Sequence, residues 1–134
     1  MKKLLLFIIL LSNNIISAQC IIGDCENGIG LYVYEDGKST HQGQFVNGFP
    51  NGWGTEVQFN KDGIYSGTYT GDWLNGQPYG WGTEIMYGPK EGYLGTYTGN
   101  WINGDENGWG VLFWTKGKEE LEVGNWLNGE LLNE

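Results

Sequence analysis

Arginine is absent from this 134-residue chain, and two of its seven lysines, Lys2 and Lys3, sit at the very front. Against them stand 16 acidic side chains, for a formal charge of −9. That balance excludes one class of partner and counts against another. Duplex nucleic acid is held largely through lysine and arginine contacts to phosphate, and no basic stripe exists here to make them. Anionic lipid headgroups meet the same objection. Histidine occurs once, at His41, and cysteine twice, at Cys20 and Cys25. A Cys-His dyad or a thiolate-imidazole metal site therefore lacks parts, and a Ser-His-Asp triad would have to use His41. Long hydrophobic runs are lacking too. The apolar run at 4–11 breaks at Ser12-Asn13-Asn14, well short of the roughly 20 residues a membrane-spanning helix needs.

Lys2-Lys3 before that run and Ile16-Ser17-Ala18 after it have the order of a secretory leader, with a small residue at the cleavage position. Residues 1–18 are read as a signal peptide and 19–134 as a single β domain, which predicts a periplasmic or extracellular protein of formal charge −11. In an exported chain Cys20 and Cys25 read as a disulfide. Two alternatives stay open: free thiols, or a lipidated Cys20 anchored at an outer surface, for which the preceding Gln19 is not the small residue that chemistry prefers.

What the chain does have is glycine, 24 residues, and aromatics, 15% of the total, and they recur in a fixed order. The segment at 65–82 returns nearly intact at 93–110: Gly71 recurs as Gly99, Trp73 as Trp101, Gly76 as Gly104, and Gly80-Trp81-Gly82 as Gly108-Trp109-Gly110. The period is about 28 residues, in the range of repeat architectures. A looser copy precedes these, with Gly43, Phe45, Gly48 and Gly52-Trp53-Gly54 in matching places. The boundaries drawn are a partial repeat at 20–40, repeats at 41–68, 69–96 and 97–121, and a partial repeat at 122–134.

Within each copy the local pattern is strand and turn. Trp53, Thr55, Val57 and Phe59 alternate with Gly54, Glu56 and Gln58, the two-residue period of a half-buried strand. Tyr65, Gly67, Tyr69, Gly71 and Trp73 alternate with Ser66, Thr68, Thr70 and Asp72. The Asn-Gly pairs at Asn75, Asn103 and Asn128 suit positive-φ turn positions. The expectation is an all-β protein: an elongated single antiparallel sheet, a meander of tandem hairpins with about eight strands. Its aromatics and glycines are expected on one face, with Thr, Ser and the paired Glu56 and Glu84 on the other.

The order Tyr-x-Gly-x-Trp-x-x-Gly-x-x-x-Gly-x-Gly, read at 69–82 and again at 97–110, resembles the MORN (membrane occupation and recognition nexus) repeat. At 41–54 the frame holds with His41 in the tyrosine place and Phe45 in the tryptophan place. The repeats here are a few residues longer than is usual in that family, so longer hairpins are expected. The resemblance implies a scaffold or protein-assembly role. The phospholipid binding proposed for the family fits poorly with an acidic chain.

A sheet with one apolar face must bury that face against itself, a second copy or a partner. Phe45, Tyr69, Trp73, Tyr97, Trp101 and Trp126 are accordingly the candidate partner-binding residues. The partner is expected to be another protein, or a second copy in a homodimer. The alternative is a glycan stacked on exposed tryptophans such as Trp73, Trp101 and Trp126. No enzyme, cofactor or metal is read from the sequence. His41 reads as a packed ring. Glu56 and Glu84 lie on an open strand face rather than astride a sugar-binding cleft. The Gly-x-Gly turns lack the Lys-Ser/Thr of a phosphate loop. Asp105-Glu106-Asn107 is not repeated as a calcium ligand set, since Gln77-Pro78-Tyr79 stands in the same place one repeat earlier.

Overall fold

A computed structural model describes residues 18–115 and 119–132; the signal peptide read at 1–18 lies, but for Ala18, outside the described residues. The described residues form one open antiparallel sheet of ten strands in sequence order. They are β1 (Gln19–Gly23), β2 (Ile29–Val33), β3 (Thr40–Val46), β4 (Phe49–Phe59), β5 (Tyr65–Leu74), β6 (Gln77–Gly88), β7 (Gly92–Ile102), β8 (Asp105–Trp114), β9 (Glu120–Leu127) and β10 (Glu130–Leu131). Ten strands stand where about eight were expected. Each terminal fragment closes its own short hairpin, and a five-residue β1 or a two-residue β10 is too brief to show alternation. Ten strands about 4.8 Å apart make a ribbon roughly 43 Å across the strands.

Four two-residue Asn-Gly turns line one edge of this ribbon, with positive φ at both residues: Asn47-Gly48, Asn75-Gly76, Asn103-Gly104 and Asn128-Gly129. Such turns match the twist of the strands they join. Each is tied to its neighbour, since the amides of Gly76, Gly104 and Gly129 donate to the carbonyls of Pro50, Pro78 and Glu106.

The register brings glycine against glycine across the sheet. Gly23, Gly30, Gly43, Gly54, Gly71, Gly82, Gly99, Gly110 and Gly124 are successive cross-strand partners on β1 through β9. The result is a lane without side chains running perpendicular to the strands, on the inner face of the sheet. Rings fill it. The Tyr69 ring lies over Gly71 and Gly82, Tyr97 over Gly99 and Gly110, and His41 over Gly43 and Gly54. This is the expected reason for the Gly-aromatic alternation.

Two expectations about the faces need correction. Tyr69 is the cross-strand partner of both Glu56 and Glu84, and Glu84 is also paired with Tyr97, so these carboxylates share the aromatic face. Trp53, Trp81 and Trp109 lie on the other, outer face, opposite Asp72, Asn100 and Asn125. The cause is parity. Leu74 pairs with Gln77 and Trp73 with Pro78 across the Asn-Gly turn, so even-numbered residues of β6 face inward and Trp81 faces outward.

A bulge completes the Gly-Trp-Gly triplet. Asp72 alone spans the stretch Tyr79-Gly80-Trp81 between the pairs Trp73–Pro78 and Gly71–Gly82. Gly80 takes φ +78° there, and Asp72 Oδ2 accepts the Trp81 amide at 3.2 Å. Gln44 Oε1 does the same for the Trp53 amide at 2.9 Å, and Asn100 Nδ2 donates to the Trp109 carbonyl at 3.1 Å. The first glycine of the triplet thus makes the bulge, the tryptophan is directed outward, and the second glycine lies in the ring lane.

Candidate functional site

The inner lane is a continuous chain of rings. From Phe45 the order is His41, Trp73, Tyr69, Trp101, Tyr97 and Trp126, with successive centroids 4.8–5.3 Å apart and planes 83–89° to one another. Each edge-to-face pair of this kind is worth about 0.5–1.5 kcal/mol beyond the area it buries. The polar atoms are satisfied locally. Trp73, Trp101 and Trp126 donate their Nε1–H to the carbonyls of Gly54, Gly82 and Gly110 at 3.2–3.3 Å. The Tyr69 and Tyr97 hydroxyls donate to the carbonyls of Asp72 and Asn100 at 3.1 and 3.2 Å.

His41 is the exception. It is fully buried in a tyrosine's place, and both of its ring nitrogens lack a hydrogen-bond partner. Burial penalises its charged form and pushes its pKa down to about 4. The imidazole acts as a core ring.

All six residues expected to meet a partner, Phe45, Tyr69, Trp73, Tyr97, Trp101 and Trp126, are at most 5% exposed. They are brought together, but as the core: the ring lane buries itself against glycine. Rings enclosed in this way leave almost no area open to a partner or a sugar.

The surface that is open lies on the opposite side. Trp53, Trp81 and Trp109 are 54%, 43% and 48% exposed. Trp81 and Trp109 run parallel within 9°, with centroids 6.4 Å apart. Beside this stripe, next to the Asn-Gly turns, runs a second one of exposed aliphatic residues: Val46, Leu74, Ile102 and Leu127. Between the tryptophans and the far edge the outer face carries threonine pairs, Thr55 with Thr70 at 3.0 Å and Thr83 with Thr98 at 2.9 Å. Reading the sequence grouped these three tryptophans with the other aromatics; the register separates them.

Among titratable groups on the inner face, Glu84 stands out. Half-buried between Tyr69 and Tyr97 and facing the charge of Glu106, it has a carboxyl pushed up to about 7, burial being the larger cause. Burial, with Glu106 nearby, raises the Tyr97 phenol to about 12. Tyr34 is raised by burial and by Glu56, to whose Oε2 its hydroxyl donates at 2.7 Å, while Gln58 Nε2 donates to Oε1 at 2.9 Å. Among the described residues no three His, Cys, Asp or Glu side chains come together as a metal set, and no helix is long and apolar enough to cross a membrane.

Cys20 and Cys25 form a disulfide with Cα atoms 5.8 Å apart. It ties β1 to the turn that leads into β2, and Cys25 Sγ occupies the space above Gly30. Such a bond is one that an oxidising compartment maintains. No protein-family model matches the chain, and no curated protein matches it in sequence.

Proposed function

We propose that the chain is an exported, non-catalytic repeat protein of the MORN type that holds a protein partner on the outer face of its sheet. The observation that carries this reading is the pair of exposed apolar stripes, Trp53-Trp81-Trp109 and Val46-Leu74-Ile102-Leu127, to which the β3–β4, β5–β6 and β7–β8 hairpins each contribute one residue of both kinds. The ring lane already gives the sheet its core, so these residues are not needed to build it. Exposed apolar patches of this extent mark interaction sites, and tryptophan is a favoured anchor in them. The disulfide and the leader-like front fit an exported protein better than a cytosolic one. The anchoring tryptophan of each repeat is thus the outward one, and not Trp73, Trp101 or Trp126.

A glycan is the second reading, favoured by the parallel Trp81 and Trp109 rings. It is weakened by the polar side chains beside them. Gln44, Asp72 and Asn100, which a sugar's hydroxyls would need, are engaged by the backbone at the bulges.

The test places a photocrosslinking residue at Thr83, on the outer face between Trp81 and Ile85, and a second at Gly92 on the far edge as control. A protein crosslinked only from position 83, lost on Trp81→Ala with Trp109→Ala, and able to bind the purified chain again supports the reading. Tryptophan fluorescence that shifts with soluble glycans, with no protein crosslinked, would replace it by the second.

A further inference from the structure

The ring lane ends differently at its two ends. Toward the C-terminus Trp126 meets Leu131 of the closing strand. Toward the N-terminus the rings continue from Phe45 to Tyr32 and Tyr34, and among the described residues no further repeat lays a ring over them. A groove of about 710 Å³ occupies that end, lined by these three residues together with Phe49, Pro50 and the acidic group Glu35, Asp36 and Glu56. Its volume lies in the range of small-molecule sites.

The rings are mutually inclined. Tyr32 and Tyr34 meet edge to face, with centroids 5.4 Å apart and planes at 75°, and Tyr32 and Phe45 lie at 53° with centroids 6.4 Å apart. Inclined rings form a corner rather than a flat wall, and a cation placed in such a corner is attracted by more than one ring face. Among the described residues no lysine lines the groove. Lys38, in the adjoining loop, turns away to the Gly63 carbonyl at 3.1 Å. Asp36 is fixed by the amides of Lys38 and Ser39 at 2.8 and 2.7 Å and by the Ser39 hydroxyl. The groove is thus acidic and aromatic at one end, and apolar toward Phe45, Phe49 and Pro50 at the other.

We propose that this groove binds an organic ammonium ion with an apolar tail, its charge set against the Tyr32 and Tyr34 rings and facing Glu35, Asp36 and Glu56. Alkylated ammonium suits the site better than a lysine side chain, because it sheds water more readily and so gains more from ring faces. The site lies on the inner face and does not depend on whether the outer stripe holds a protein.

Calorimetric titration of the purified protein tests it with three small probes. Choline is compared with 3,3-dimethylbutan-1-ol, its uncharged carbon isostere, and with hexyltrimethylammonium. Choline binding, at least about tenfold weaker isostere binding, and hexyltrimethylammonium about tenfold tighter than choline are the expected results. Tyr32→Leu is expected to weaken hexyltrimethylammonium about 3- to 30-fold. Tyr34→Phe, which keeps the ring, should stay within about twofold, and the exposed Glu35→Gln should weaken binding without disturbing the fold. Equal binding of choline and its isostere, no binding of either cation, or unchanged affinity in both Glu35→Gln and a folded Tyr32→Leu would overturn the proposal. Tighter binding of Nα-acetyl-lysine amide than of choline would overturn its assignment to alkylated ammonium.

Discussion

The repeats at 69–96 and 97–121 share two tryptophan positions, Trp73 with Trp81 and Trp101 with Trp109, and the two meet opposite fates; Trp114 of the second repeat answers to Met86 in the first. Trp73 and Trp101 are core, with Nε1–H bonded to a glycine carbonyl and rings set edge to face with tyrosine or histidine. Trp81 and Trp109, on the neighbouring strands, stand half in solvent. Composition does not separate them, since each has a glycine within two residues. What separates them is which side of the pleat the turn assigns. The lesson is that in a sheet with one packed face the value of a ring is set by parity, and ring type alone says little about burial.

The sharpest way to break this comparison is to truncate one ring of each kind. Trp101→Ala removes a buried ring from the middle of the lane and is expected to cost about 3–5 kcal/mol. Trp109→Ala should stay within about 0.5 kcal/mol, as surface substitutions do. Chemical denaturation monitored by circular dichroism reads both; similar losses would put the two tryptophans in similar surroundings.

Next in size is the lane itself. A Cβ at Gly71 would lie 2.5 Å from Gly82 Cα and 2.6 Å from Tyr69 Oη. Gly71→Ala is therefore expected to destabilise by about 1–3 kcal/mol through overpacking. At Gly104, in a positive-φ turn, an added Cβ would meet nothing within 4 Å. Alanine there would cost backbone strain alone, so unequal urea midpoints for the two variants separate packing from conformation.

His41 offers a change in the other direction. Tyr69 and Tyr97 bond the carbonyl three residues on, whereas His41 leaves both nitrogens unpaired. His41→Tyr supplies a hydroxyl able to reach the Gln44 carbonyl and should stabilise the fold by about 0.5–1.5 kcal/mol. A lower melting temperature would show that the slot is shaped for imidazole.

A pH dependence is also expected, with two opposing parts. His41 has its pKa lowered to about 4 from 6.5, so the unfolded chain takes up its proton first; the stability it contributes is present above 6.5 and is lost as pH falls through 4. Glu84 is raised to about 7 from 4.5, so the folded chain holds its proton longer; that contribution is complete below 4.5 and is lost as pH rises through 7. Melting curves of Glu84→Gln should gain on the wild type at pH 8 and not at pH 4. Those of His41→Tyr should lose less than the wild type between pH 7 and pH 4. Parallel curves for all three proteins would contradict both shifts.

Much of the fold is legible in the sequence. The 28-residue spacing of Gly71 and Gly99, the alternation around Tyr69 and the Asn-Gly turns are enough for an antiparallel meander, because side-chain period and turn chemistry are local. The glycine lane is legible in kind, though its continuity depends on cross-strand register. The outer stripe is the loss. Counting through the two-residue turn from Leu74 to Gln77 puts Trp81 on the face opposite Trp73, so the information is in the chain but requires pairing the strands rather than reading them singly. Glu84 is misplaced for the same reason. The groove at Tyr32 and Tyr34 has no signal at all, since it arises where a repeating lane stops.

The most direct measurement is residue-resolved oxidative footprinting of the folded protein, with each tryptophan quantified by mass spectrometry. The account predicts rapid modification of Trp53, Trp81 and Trp109 and protection of Trp73, Trp101 and Trp126, with the difference vanishing in denaturant. Protection of the first three, or equal modification of all six in the folded protein, would contradict the assignment of Trp73, Trp101 and Trp126 to the core and of Trp53, Trp81 and Trp109 to the surface.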